Sequence, residues 1–156
     1  TQMDAIDLRL LELLQRDASL TNQTLAERAG VSPATALRRV KALQERGVIE
    51  AQVALLNPAA FASLLTALVE ITLDRQGAEH LEAFERRAVA FDAVQQCYRT
   101  SPGPDFLLVI QVPDMDAYAA LAQQLFTQDA NVRNVKAFFA VKRAKFRPSL
   151  PLPPAR

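Results

Sequence analysis

Residues 32–49 read SPATALRRVKALQERGVI, and the fold of this stretch decides what the rest of the chain can be. Ser32 followed by Pro33 is a helix start. The serine side chain can accept from free N–H groups, and proline needs no N–H partner at the first helical position. Gly47 offers a stop, because glycine accepts the left-handed backbone that ends many helices. At about 100° per residue, the helix between them puts Ala36, Leu37, Val40 and Leu43 on one side. The opposite side carries Ala34, Thr35, Arg38, Ala42 and Glu45, flanked by Arg39 and Lys41. One face is therefore core and the other is small, polar and basic. A helix that enters a major groove needs this division: small residues admit the DNA edge, an arginine reaches guanine, and flanking cations hold phosphates. A solvated basic face would show the same charges.

Upstream, the spacing predicts two more helices. Thr21–Ala29 has Thr21 as its cap, Leu25, Ala26 and Ala29 inside, and Gly30 as its stop. Asp4–Gln15 carries the stripe Ile6, Leu10, Leu13 and Leu14, with Asp4 as cap and Asp7 adding negative charge to the first turn. Three helices with a tight glycine-containing turn between the second and third make a helix-turn-helix. The net charge of the whole chain is only +1, yet Arg28, Arg38, Arg39, Lys41 and Arg46 face a single acid, Glu45, between residues 28 and 46. A local basic cluster on a near-neutral chain is a candidate phosphate-facing patch. Val48–Leu56 (VIEAQVALL) is β-like and Asn57-Pro58 punctuates it, so a strand is expected to leave the first domain.

The second half changes period. Leu65–Leu73 alternates as a strand. Gly77–Ala90 predicts a helix through Leu81, Phe84 and Ala88, followed by strands at Val94–Thr100 and Phe106–Val112. Asp114 caps a helix whose inner face is Tyr118, Leu121, Ala122 and Leu125, and Val132–Lys142 is a last strand. The order βαββαβ is ferredoxin-like. The fold class is thus α+β: a winged-type helix-turn-helix domain (residues 1–50), a strand linker (51–63), a ferredoxin-like domain (64–146) and a proline-rich tail (147–156). Helices can cover only one face of such a sheet. Yet Leu107 and Val109 are apolar on the face opposite Phe106, Leu108, Ile110 and Val112, and Phe138 and Phe139 point to opposite faces. A second copy related by two-fold symmetry is the economical cover. The tail RPSLPLPPAR, with four prolines, is expected to be extended or disordered, or a ligand for a proline-recognising partner. The stretch TSPGPDF (100–106) reads either as a stiff turn between strands or as a small-molecule site with its aspartate at a strand entrance.

Composition removes several classes. The chain is 50% hydrophobic and 22% charged, an ordinary globular balance. No apolar stretch approaches the ~18–20 residues of a membrane span, and no secretory leader is expected from TQMDAIDLRLL. One cysteine (Cys97) and one histidine (His80) make a disulfide or a structural zinc site improbable. Cys97 is expected as a small hydrophobe in a strand, and His80 as a solvated helix residue. No catalytic residue, metal or cofactor is expected.

The combination resembles the Lrp/AsnC family, the leucine-responsive or "feast/famine" transcription regulators. The stretches that carry it are MDAIDLRLLELLQRDA (3–18), LAERAGVSPATALRRVKALQERGVIEAQVALLNP (25–58), LVEITLDR (68–75) and PDFLLVIQVPDMDAY (104–118). The resemblance implies a bacterial or archaeal, cytoplasmic and nucleoid-associated protein with no membrane partner. It implies double-stranded DNA as partner, self-association as a dimer and further as a tetramer or octamer, and an amino-acid effector sensed between dimers. DNA contacts are then expected from Ser32, Ala34, Thr35 and Arg38 at base edges, and from Arg39, Lys41, Thr21, Asn22 and Arg28 at phosphates. The family's effector loop corresponds to Thr100, Ser101, Pro102, Gly103, Pro104 and Asp105. There the family usually shows S-G-x-x-D, and this chain has Pro102 in the glycine's place. Two alternatives remain: a DNA-bound architectural protein with an inactive effector site, and an enzyme like the siroheme decarboxylases, which resemble the same two-domain family.

Overall fold

In a computed structural model, which describes residues 3–154, the helix signals of the N-terminal region are all used. Helix α1 (Ala5–Arg16) opens on a reciprocal capping box. The Asp7 N–H donates to the Asp4 carboxylate at 2.9 Å, and the Asp4 N–H donates to the Asp7 carboxylate at 3.4 Å. Helix α2 (Asn22–Ala29) starts at Thr21, whose Oγ1 accepts from the Thr24 N–H at 3.1 Å, and ends at Gly30 with φ +74°. Helix α3 (Pro33–Glu45) starts at Ser32, whose Oγ accepts from the Thr35 N–H at 3.2 Å. Leu10, Leu25, Ala26, Ala29 and Ala36 form the buried centre of this unit, with Ile6, Leu13, Leu14, Leu20, Val31 and Val40 around it. Alanines at 26, 29 and 36 let α2 and α3 approach closely.

Leu37 departs from expectation. The helical spacing puts it in the core arc of α3, but it is 61% exposed. The covered arc is narrow: Ala36 and Leu43 are buried and Val40 is half-buried. At about 100° per residue, Leu37 lies beyond its edge.

The expected strand at Val48–Leu56 does not form. Val48 and Ile49 instead donate their N–H groups back to the Leu43 carbonyl at 2.9 and 3.2 Å, which satisfies an orphan acceptor at the end of α3. Among the described residues, 50–56 make no backbone–backbone hydrogen bond. A strand requires a ladder partner, and this segment has none among the described residues. Val53, Leu55 and Leu56 stand exposed.

Within the described residues the chain separates into a unit that runs to Leu55 and also takes in the segment from Lys145, and a second unit, Leu56–Ala144. The tail belongs to the first unit because Gln15 of α1 fastens it. The Gln15 amide donates to the Leu150 carbonyl at 3.0 Å and accepts from the Leu150 N–H at 2.6 Å. Leu152 is half-buried. Residues 1, 2, 155 and 156, the ends of the expected first and last segments, lie outside the described residues.

The second unit is an antiparallel sheet with strand order β2-β3-β1-β4, formed by β1 (Leu65–Leu73), β2 (Val94–Arg99), β3 (Phe106–Val112) and β4 (Val132–Phe139). Helices α4 (Ala78–Val89) and α5 (Met115–Ala122) cover one face, and α5 continues through a π-helical turn at Gln123–Thr127. Period-two alternation sends Ala67, Val69, Ile71, Phe106, Leu108 and Ile110 into the core with Phe84, Ala88 and Leu125. The Phe84 and Phe106 rings lie 4.8 Å apart. β4 stops at Phe139 rather than Lys142, since beyond the Ala140 N–H bond to Thr66 the partner strand β1 runs out. The other face is open. Leu68 lies opposite Phe138 on β4 and Val109 on β3, and Leu68, Leu107 and Phe138 are exposed. Phe139 turns the other way, edge-on to Tyr118 at 5.1 Å.

Candidate nucleic-acid interface and effector loop

The outward side of α3 presents Ala34, Leu37, Arg38, Lys41, Ala42 and Glu45 along one shallow depression. Arg38 and Lys41 are exposed, and among the described residues neither forms an ion pair. Ser32 and Thr35 sit at the helix start, where the Ser32 hydroxyl donates to Thr35 Oγ1 at 2.9 Å. Ala34, exposed between them, presents no bulk. Arg28 is exposed in the last turn of α2.

Three of the expected DNA-contacting residues are engaged inside the unit. Arg39 donates through Nη1 to the Asp4 carboxylate and, at 3.4 Å, to Asp7 Oδ1. Its side chain is 27% exposed. The Asp7 N–H bond, then the Arg39 guanidinium, hold the Asp4 carboxyl below the usual carboxylate range. The bond to Asp4 likewise raises the Arg39 pKa, with Asp7 adding to it. Arg39 thus ties α3 to the capping box of α1. Asn22 donates through Nδ2 to the Pro33 carbonyl at 2.8 Å, which joins the start of α2 to the first turn of α3. Thr21 is the cap of α2, and its hydroxyl donates to Thr24 Oγ1 at 2.9 Å. Arg9, which sequence reasoning did not single out, donates to the Ala29 carbonyl at 3.1 Å. Capping rules identified Asp4 and Asp7, but nothing local points to a partner 35 residues away.

In the second unit, Thr100–Asp105 is the connection between β2 and β3. Asp105 is half-buried, and its Oδ2 accepts from the Leu73 N–H at 2.7 Å and from the Gln76 amide at 3.2 Å. Its own N–H donates to the Ile71 carbonyl at 2.8 Å, and its carbonyl accepts from the Thr100 N–H at 3.1 Å. The Thr100 hydroxyl donates to the Pro104 carbonyl. Asp105 therefore closes the loop against the end of β1. Ser101, Pro102 and Gly103 project as an exposed tip. Gly103 has φ +120°, a conformation reserved for glycine. Pro102 has no N–H to offer a carboxylate.

Cys97 is half-buried in β2, and burial raises its thiol pKa, with the Glu85 charge adding to the rise. A protonated thiol is a poor nucleophile. Among the described residues no group of three or more His, Cys, Asp or Glu side chains could hold a metal ion, and no helix is long and apolar enough to cross a membrane.

Two family models match the chain: "winged helix-turn-helix DNA-binding" over residues 3–50 and "Lrp/AsnC ligand binding domain" over residues 66–150. The leucine-responsive regulatory protein of Salmonella typhimurium is 34% identical over 143 residues, spanning 92% of this chain and 87% of that protein. Among solved structures, an AsnC family transcriptional regulator from Agrobacterium tumefaciens superposes with a TM-score of 0.84 at 34% identity, covering 96% of this chain and 97% of that one. A transcriptional regulator from Neisseria meningitidis, solved as a complex with L-Met, gives a TM-score of 0.84 at 29% identity over 96% and 97% of the two chains.

Proposed function

The chain belongs to the Lrp/AsnC family of transcriptional regulators, and on that premise we propose that it binds double-stranded DNA sequence-specifically and responds to an amino acid or a related small molecule. The observation that carries the DNA half is the division of labour on α3. Arg38 and Lys41 stand exposed and unpaired beside the small Ala34, while Arg39 is drawn inward by Asp4 and Asp7. Ser32, Ala34, Thr35 and Arg38 approach base edges, and Lys41 and Arg28 meet phosphates. Thr21, Asn22 and Arg39 act one step back and hold the reading helix in position. The open sheet face with Leu68, Leu107 and Phe138 is covered by a second copy, so the working unit is at least a dimer. The protein acts in the cytoplasm, and no catalysis is assigned to it.

Fluorescence anisotropy on a duplex selected from a random library tests this. Arg38→Ala should weaken binding to the selected duplex by ~1–3 kcal/mol and leave random DNA much less affected. Lys41→Ala should weaken all sequences alike and lower the slope of log affinity against log salt by about one. Equal losses on selected and random DNA for Arg38→Ala would remove it from the base-reading set.

One observation favours the architectural alternative, in which the effector loop is inactive. Asp105 is already bonded to Leu73 and Gln76, and Pro102 lacks the N–H that a glycine would offer. Calorimetry against the twenty common amino acids decides between the two, and uniform absence of heat would favour the architectural role.

A further inference from the structure

Leu37 is the one large apolar side chain on the outward face of α3. It stands 61% exposed, one turn after Ala34 and one turn before Lys41, next to Arg38. Mostly solvated, it adds little to the core, since Ala36, Val40 and Leu43 already fill the buried arc. Its neighbours are two unpaired cations on one side and a small residue on the other, with the acid Glu45 a full two turns further along. A surface built this way is complementary to a polyanion that also carries an apolar spot. In the major groove the apolar spot on a base edge is the 5-methyl group of thymine.

Resting on the DNA-binding function proposed above, we infer that Leu37 is a specificity-determining residue that packs against a thymine methyl in each half-site. Arg38 and Lys41 set the depth and register of the helix by hydrogen bonds and charge. Leu37, held between them, excludes water from one base step and rewards a methyl there. The reward is the transfer of one methyl-sized group, about fourfold in affinity per half-site.

The test uses the full chain and a random double-stranded oligonucleotide library. Duplexes are selected with the wild type, and each thymine of one half-site in the selected sequence is then replaced by deoxyuridine, which deletes only the methyl. For the wild type, one position should lose about fourfold in affinity on methyl deletion. Leu37→Ala, which loses the contact in both half-sites, should bind the parent duplex about sixteenfold more weakly and show no further loss at that position. Leu37→Met, which keeps an apolar tip of similar length, should retain the methyl dependence. Because Leu37 is exposed, neither variant perturbs the core.

Methyl deletion that costs the wild type and Leu37→Ala equally at every position overturns the inference while leaving DNA binding intact. So does a Leu37→Ala variant whose sedimentation changes but whose thymine dependence does not, since Leu37 would then be covered by protein. If the wild type enriches no sequence at all, the DNA-binding function itself fails, and this inference fails with it.

Discussion

Asp105 offers a clean separation of a structural role from a ligand role. Its Oδ2 accepts from the N–H of Leu73, a residue with no solvent exposure at the end of β1, and from the Gln76 amide. In Asp105→Ala the Leu73 N–H is left without an acceptor where water cannot easily replace it. A buried donor in that state costs ~1–3 kcal/mol. In a unit of this size each kcal/mol moves the melting temperature by ~4–8 °C, so a fall of about 5–20 °C is expected. Asp105→Asn keeps an oxygen for Leu73 and loses only the charge, at about 1 kcal/mol. The readout is built into the chain. It has no tryptophan, and its two tyrosines, Tyr98 and Tyr118, both lie in Leu56–Ala144. Tyrosine fluorescence during urea or thermal unfolding therefore follows the second unit alone. Amino-acid calorimetry on the same variants completes the experiment. Should Asp105→Ala melt with the wild type and lose only the heat of amino-acid binding, the carboxylate serves the ligand and the structural assignment is wrong.

Two further predictions concern the first unit. Arg39→Met should lower DNA affinity without changing the salt slope, because Arg39 holds α3 rather than a phosphate; a slope reduced like that of Lys41→Ala would contradict this. The same variant should change the acid response. The folded pKa of Asp4 lies below its ordinary 3.8, so this carboxylate contributes stability that is present above that pH and lost as pH falls through the folded value. Circular dichroism melts between pH 5 and pH 2 should show a somewhat shallower acid loss in Arg39→Met, with the larger part of the effect remaining from the Asp7 N–H bond. Gln15→Ala should free the tail from α1. Two lost hydrogen bonds at ~0.5–1.5 kcal/mol each amount to opening roughly five to a hundred times more frequent, read as faster tryptic cleavage after Lys145. Unchanged cleavage would mean that other contacts hold the tail.

The features legible in the sequence are the ones with local causes. Ser32-Pro33, Thr21 and Asp4 mark helix starts because each cap bonds an N–H three residues on. Leu65–Leu73 and Phe106–Val112 are legible as strands because alternation is a property of consecutive residues. VIEAQVALL is β-like too, but a strand exists only where another supplies the ladder, and among the described residues none does. Leu37 falls outside the core because the width of a buried helix face is set by what covers it, here α1 and α2, which reach only a narrow arc. The Gln15–Leu150 pair spans 135 positions, beyond any local rule.

Arg38 and Arg39 show what composition conceals. They are adjacent, identical and both counted in the basic cluster, yet helical phase turns one outward and the other toward α1. The inward one is neutralised by Asp4 and Asp7, and on α1 Glu12 pairs with Arg16 at 3.4 Å. These acids are therefore occupied away from the outward face of α3, where only Glu45 opposes Arg38 and Lys41. A chain of net charge +1 can in this way present a locally positive helix without becoming a basic protein. That face can attract a polyanion although the chain as a whole is close to neutral. Replacing Asp4 would leave that surface equally charged but release Arg39, and it is the position of α3, not its charge, that would suffer.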